Sequence, residues 1–342
     1  MNCRFCKEEL KDVFFDLINS TASNSFLTKE ELNEPETFYP LKVYTCANCF
    51  LVQVDEYKKS DAIFDSNYVY FSSYSTSWLA HAKQYTDMMT ERFGYNEESL
   101  VIEVASNDGY LLQYFKEKNI PVMGIEPTAN TAEVAMGKGI KTVIEFFGTE
   151  LADRFANDWD VKADLLLGNN VLAHVPDILD FVGGMKIILK DTGVITMEFP
   201  HLMQLVDNNQ FDTIYHEHFS YLSFYTVKQI FESQGLEMFD VEEIPTHGGS
   251  LRIYAKHAAD SSKTISITVF MPLPIATSAV LAVGSIPITG IFFSLKYCNK
   301  YPSFDATSIT SESSLYSKRS VIISVYCFAC ASQLVLYDEK YT

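Results

Sequence analysis

Ser99-Leu-Val-Ile-Glu-Val104 runs directly into Ala105-Ser-Asn-Asp-Gly109, after which Tyr110-Leu-Leu-Gln-Tyr-Phe-Lys-Glu-Lys118 resumes helical spacing. A short, mostly apolar run that gives way to small and polar residues before an amphipathic segment predicts a strand, a loop and a helix. That order suits a nucleotide site. In open α/β sheets ligands bind outside the carboxyl ends of the strands, where small side chains let them approach the backbone.

The same grammar continues downstream. Strands are predicted at 100–104, 122–126, 142–145, 163–167 and 193–198, with helices at 111–118, 129–138 and 178–189. Such alternation implies a parallel sheet covered on both faces. After a helix at 227–234, the runs 236–244 and 250–256 flank Pro245-Thr-His-Gly-Gly249, a hairpin signal that closes the sheet with an antiparallel pair. Upstream, the aromatic and hydroxyl-rich Tyr68–Ser75 stretch reads as a loop leading into a helix at Trp78.

Eighteen residues past Asp108, Glu126 ends the second strand in Gly124-Ile-Glu-Pro127, where a carboxylate can accept both hydroxyls of an adenosine ribose. The Gly-x-Gly-x-x-Gly loop of a dinucleotide site is absent. An acidic, glycine-poor loop disfavours a pyrophosphate and tolerates a cation, which points away from NAD and towards S-adenosylmethionine. The candidate cofactor residues are Glu103, Ala105, Ser106, Asn107, Asp108, Gly109, Glu126 and Asn169. Asn169, Asn170 and His174 follow the fourth strand of the sheet and are expected to face the same cleft.

The first 62 or so residues carry two Cys-x-x-Cys pairs, Cys3/Cys6 and Cys46/Cys49. A segment of that size folds poorly without a staple. Four thiolates in two knuckles can surround Zn²⁺ and leave no open position, so a structural site is expected; four reduced cysteines or a redox pair are the alternatives. Cys327/Cys330 has no second knuckle nearby and is left unassigned.

The chain has 342 residues and a formal charge of −18, yet residues 262–342 hold six basic against four acidic side chains. The acidic remainder repels phosphate backbones, so nucleic acid is not an expected partner. Without a basic segment followed by an apolar one at the start, the location expected is the cytoplasm. Thr264 to Leu295 is uncharged and long enough to cross a bilayer, but Pro272, Pro274 and Pro287 argue against a span.

Tyr215-His-Glu-His218 is dense in titratable groups. Histidine moves protons near neutral pH and a neighbouring carboxylate can orient it, so acid/base chemistry is the first reading. Half of a metal site, or a structural histidine, are the alternatives.

Together the cysteine pairs, Asp65-Ser-Asn-Tyr-Val-Tyr-Phe-Ser-Ser-Tyr74, Glu103-Val-Ala-Ser-Asn-Asp-Gly109, Tyr215-His-Glu-His-Phe-Ser-Tyr221 and His247-Gly-Gly-Ser-Leu-Arg252 resemble the sugar C-methyltransferase family over about residues 1–258. That family joins an amino-terminal zinc-binding domain to an S-adenosylmethionine-dependent methyltransferase domain of Rossmann-like α/β fold. It methylates C-3 of nucleotide-linked 4-keto-deoxysugars. The resemblance implies His218 as base, Glu217 to orient or assist it, Tyr68 to hydrogen-bond the sugar, and Asn170, His174, Tyr215 and His247 on the substrate side. The domains expected are 1–62 for zinc, 63–258 for methyl transfer, and an atypical, poorly ordered tail at 259–342. Family members continue after the His-Gly-Gly-Ser-Leu-Arg strand into a second α/β domain whose signature is not found beyond residue 261. The alternative expectation is therefore a truncated, inactive remnant that keeps zinc and S-adenosylmethionine.

Overall fold

A computed structural model of the protein describes residues 1–64 and 68–264, with two strand segments at 292–294 and 324–326. Met1–Ile267 forms one unit and Thr268–Thr342 another, in which Phe292–Ser294 and Ser324–Tyr326 pair antiparallel. Cys327/Cys330, nearly all of the uncharged run and the expected order of the tail lie outside the described residues. Among the described residues no helix is long and apolar enough to cross a membrane.

The first unit begins with β1 (Asp12–Ser20), β2 (Tyr39–Thr45) and β3 (Val52–Val54), followed by the short α1 (Ser60–Ile63) and the long α2 (Thr76–Phe93). Next come β4 (Val101–Val104), α3 (Leu112–Glu117), β5 (Val122–Ile125), α4 (Ala129–Gly137), β6 (Lys141–Val143) and α5 (Thr149–Asp153). Then follow β7 (Ala163–Asn169), α6 (Ile178–Ile188), β8 (Leu189–Pro200), α7 (Leu202–Asp207) and β9 (Ser220–Tyr221). The unit closes with α8 (Phe224–Ser233), β10 (Leu236–Ile244) and β11 (Ser250–His257). Local chemistry sets several helix ends. The Ser75, Asp177 and Ser223 side chains accept from the first-turn amides of α2, α6 and α8, and Gly94 ends α2 in the left-handed region.

The larger sheet has the order β10-β11-β8-β7-β4-β5-β6; the five strands from β8 to β6 are parallel, while β11 and β10 run antiparallel. The expected parallel sheet with an antiparallel closing pair is what forms. From β4 to β6 the sheet grows one way; the chain then returns to lay β7 on the other side of β4. This reversal opens a crevice between the loops that follow β4 and β7, the position where doubly wound sheets take ligands.

Strands β4 and β7 are buried on both faces, so each reads as a nearly unbroken apolar run. Ile102 and Leu166 pack on one side with Leu151 of α5, Phe181 and Met185 of α6, and Ile230 of α8. Val101, Leu165 and Leu167 pack on the other with Tyr85 and Met89 of α2 and Leu112 and Phe115 of α3.

A second, antiparallel sheet has the order β1-β2-β3-β9. Its last strand comes from far along the chain: Val52 pairs with Tyr221 and Gln53 with Ser220. The Tyr215–His218 turn therefore leads directly into the sheet of the cysteine module. Strand β1 was not anticipated from the sequence. It is mostly exposed and carries two register irregularities against β2, so it lacks the clean alternation that marks a half-buried strand.

Candidate active site and metal centre

Cys3 and Cys6 precede β1, and Cys46 and Cys49 occupy the turn between β2 and β3. Their Sγ atoms all lie within 4.8 Å of one another, with Cys3 to Cys49 at 3.5 Å and Cys6 to Cys46 at 3.4 Å. Sulfurs around a tetrahedral zinc are separated by roughly 3.8 Å, so this convergence fits that ion with no position left for water. Cys3, Cys46 and Cys49 are buried. Hydrogen bonds from the Cys49 thiol and the Gln53 amide favour the thiolate at Cys3 and push its pKa down.

A cavity of about 470 Å³ opens where β4, β5 and β7 end. Of the expected cofactor residues, Ala105, Asn107, Glu126 and Asn169 wall it. Ala105 and Asn107 adopt φ values of 56° and 49°, which fold the loop tightly back over the strand end. Glu126 is buried and doubly held: Asn107 N donates to Oε2 at 2.8 Å and Thr128 N to Oε1 at 2.9 Å. Burial raises its carboxyl pKa and these donors oppose the rise. Asn169 is buried beside the Tyr110 hydroxyl, and neither atom of its amide makes a well-formed hydrogen bond, which leaves polar capacity that a ligand would satisfy.

Other expected cofactor residues shape the loop without walling the cavity. Asp108 accepts from Ser73 N and the Ser73 hydroxyl, and Lys138 lies 3.6 Å away. Gly109 sits at φ +73° with Ile140 Cδ1 2.5 Å from where a Cβ would stand. Ser106 packs beneath Gly124 in the same way, its Oγ 2.4 Å from a Cβ built there. Glu103 is fully buried, and burial raises its carboxyl pKa well above the usual carboxylate range, with the Tyr110 hydroxyl opposing the rise.

The same cavity carries an aromatic and imidazole-bearing lining: Tyr68, Tyr70, Trp78, His174 and His247. The Tyr68–Ser75 segment is tied to the cofactor loops, since Asn107 accepts from Ser72 N and donates to Tyr70 O, and Asn130 donates to Tyr68 O. Asn170 shares this cavity.

Tyr215, Glu217 and His218 lie just behind the wall and do not line it. The His218 ring packs edge-on against His174 with centroids 4.6 Å apart. Its Nδ1 bonds the Thr213 carbonyl at 2.8 Å and its Nε2 the Tyr215 hydroxyl at 2.8 Å. A carbonyl can only accept, so Nδ1 carries the proton and the Nε2 lone pair faces Tyr215. Burial pushes the His218 pKa down to about 4 and the His174 pKa well below the usual histidine range. Both rings are neutral at pH 7.

Sequence reasoning missed Phe146, Phe147 and Trp78 as cavity residues. The two phenylalanines follow the third parallel strand, so their place at a carboxyl strand end was the available signal. Trp78 reads as one more apolar position of an amphipathic helix.

Residues 3–64 match the family described as "Putative zinc binding domain", and residues 78–241 the one described as "Methyltransferase domain". The C-methyltransferase NovU of Streptomyces niveus is 34% identical over 260 residues, which is 75% of this chain and 61% of that protein. The chain thus spans less than two thirds of that relative's length. Among solved structures it is similar to an S-adenosylmethionine-dependent methyltransferase from Clostridium acetobutylicum, at 11% identity and a TM-score of 0.41 over 52% of this chain and 92% of that one. It is similar also to the magnesium protoporphyrin IX methyltransferase of Synechocystis with bound S-adenosylhomocysteine, at 12% identity and a TM-score of 0.41 over 52% and 83%.

Proposed function

The chain belongs to the family of methyltransferases that carry an amino-terminal zinc-binding domain, and from this we propose that it moves a methyl group from S-adenosylmethionine to carbon, the acceptor being C-3 of a nucleotide-linked 4-keto-deoxysugar. What supports the reading is a juxtaposition: one cavity joins the Glu126 carboxylate, at the end of the second parallel strand, to His174 and Tyr68. Four thiols held for Zn²⁺ suit a reducing compartment, which favours the cytoplasm.

Bound S-adenosylmethionine supplies an electrophilic methyl group. Glu126 receives the ribose hydroxyls, Ala105 and Asn107 shape the space beside them, and Asn169 offers an amide to the same ligand. The acceptor carbon becomes a nucleophile only after it loses a proton beside the ketone, which calls for a base and for donors to the enolate oxygen. His218 is the base: its ring is neutral at pH 7, and its Nε2 lone pair draws the proton through the Tyr215 hydroxyl. Tyr68 donates to the sugar oxygen, Glu217 assists the base from behind the wall, and Asn170 and His247 complete the substrate side.

A second reading makes His174 the base, because it lines the cavity and its buried Nδ1 has no partner. Solvent deuterium uptake at the carbon beside the ketone separates the two. Uptake lost in His218→Ala and kept in His174→Ala assigns His218; the reverse assigns His174.

Calorimetric titration with S-adenosylhomocysteine tests the cofactor assignment. The unaltered chain binds saturably, and Glu126→Ala weakens binding at least tenfold, as expected for hydrogen bonds to a charged group worth about 1.5–3 kcal/mol each. Equal affinity in the variant would remove Glu126 from the ribose site.

A further inference from the structure

Glu217 is the carboxylate within Tyr215-His-Glu-His218, and its side chain is buried. Its Oε1 accepts a hydrogen bond of 3.0 Å from Asn24 Nδ2, which comes from the loop between β1 and β2. Asn24 adopts φ 56°, a left-handed conformation that asparagine tolerates better than most residues. The amino-terminal module holds the same stretch at further points. His216 Nε2 donates to Pro40 O at 3.1 Å, and Val54 N donates to Phe219 O at 3.1 Å. Gln53, fully buried, pairs through its backbone with Ser220 while its side chain donates to Cys3 Sγ at 3.2 Å. One residue therefore touches both a thiol of the metal centre and the strand that follows His218.

We propose that Asn24 is a positioning residue for Glu217, which makes the cysteine module a working part of the substrate site; this rests on the placing of Glu217 in that site. The amide pins one carboxylate oxygen from the module side, and the carboxylate acts on the cavity through the neighbouring Tyr68 phenol, which lines it. The other groups facing Glu217 are the Lys58 ammonium, which favours the ionised carboxylate, and the phenols of Tyr68 and Tyr215. Burial acts against ionisation, and Asn24 is the first of the groups that oppose burial.

The test follows the Glu217 carboxyl by carbon NMR in the full-length, zinc-loaded chain, with the resonance assigned by its loss in Glu217→Gln. Asn24→Gly keeps the left-handed backbone without strain and removes only the amide. Its expected effect is a rise of the Glu217 midpoint by roughly one pH unit, from loss of a hydrogen bond to the charged form. Asn24→Asp sets a second carboxylate opposite and raises the midpoint further. An unchanged midpoint in both variants, with melting temperatures equal to the parent's, overturns the proposal. The measurement needs no turnover, so the two readings fail separately. A shifted midpoint in a chain that binds no S-adenosylhomocysteine keeps the positioning role and sinks the methyl-transfer reading. Cofactor binding with an unmoved midpoint does the opposite.

Discussion

His174 and His218 pack ring to ring and are both kept neutral by burial, which has a cost in acid. The pKa of His218 is about 4 in the folded chain and near 6.5 in an unfolded one. Between those values the unfolded state binds a proton that the folded state refuses. The stability from this residue is complete above about pH 6.5 and is lost as pH falls towards 4, by up to about 3 kcal/mol. Melting temperatures across that range are expected to fall more steeply for the parent than for His218→Asn, whose amide can still donate to Thr213; parallel curves would contradict the buried neutral ring. At this scale the chain announced its titratable residues but not their depth. Tyr-His-Glu-His marks a chemical cluster, yet which imidazole reaches the cavity depends on how residues 170–174 fold across it. Asn24 gave no signal, since a lone asparagine in a loop usually serves its own turn.

Among the elements, β8 and β11 carry an ionic bridge that the sequence did not disclose. Arg252 and Glu198 are direct partners in the strand register, and the guanidinium bonds Glu198 Oε1 through Nε at 2.7 Å and through its second nitrogen at 2.6 Å. The other Glu198 oxygen bonds His81 Nε2 at 2.7 Å, and His81 stacks on Trp78 of the cavity wall at 4.9 Å. Both members of the strand pair are buried, with side chains 5% and 2% exposed. Removing Glu198 would leave the buried Arg252 only its other partner, the one-third exposed Glu242 at 2.8 Å, so Glu198→Ala is expected to cost about 1.5–3 kcal/mol in denaturant unfolding. A cost below 1 kcal/mol would mean that water reaches Arg252. Strand and helix order was legible because apolar periodicity is a local property. Helices α5 and α7 were not, since five or six residues are too few for a period to stand out.

In the whole molecule, the cysteine module and the Tyr215–His218 stretch are joined through the β3–β9 pairing, Gln53 and Asn24. A metal ion bound by the four cysteines would contribute folding free energy, so its removal should be felt across that seam. Chelation is expected to lower the melting temperature and to speed amide hydrogen exchange at residues 216–221 more than in β4 or β7. Exchange that quickens only at residues 1–54 would show the seam to be mechanically silent. A cysteine module with its own stability would unfold in a separate step, whereas the shared sheet predicts that it unfolds together with the rest of Met1–Ile267.

The amino-acid sequence by itself determined the alternation of strands and helices, the glycine-poor loop after the first parallel strand, the acidic end of the second, and the two cysteine knuckles. Each is written in neighbouring residues, through periodicity, backbone permissiveness or ligand spacing. The shared cleft of Glu126 and His174 was expected from their places after parallel strands; tertiary structure alone decided that His218 stands one ring behind it, and that a strand from residue 220 completes a sheet begun at residue 12. Those relations join residues tens to hundreds of positions apart, and they are settled by which faces bury together, a property of the packed chain that no local pattern encodes.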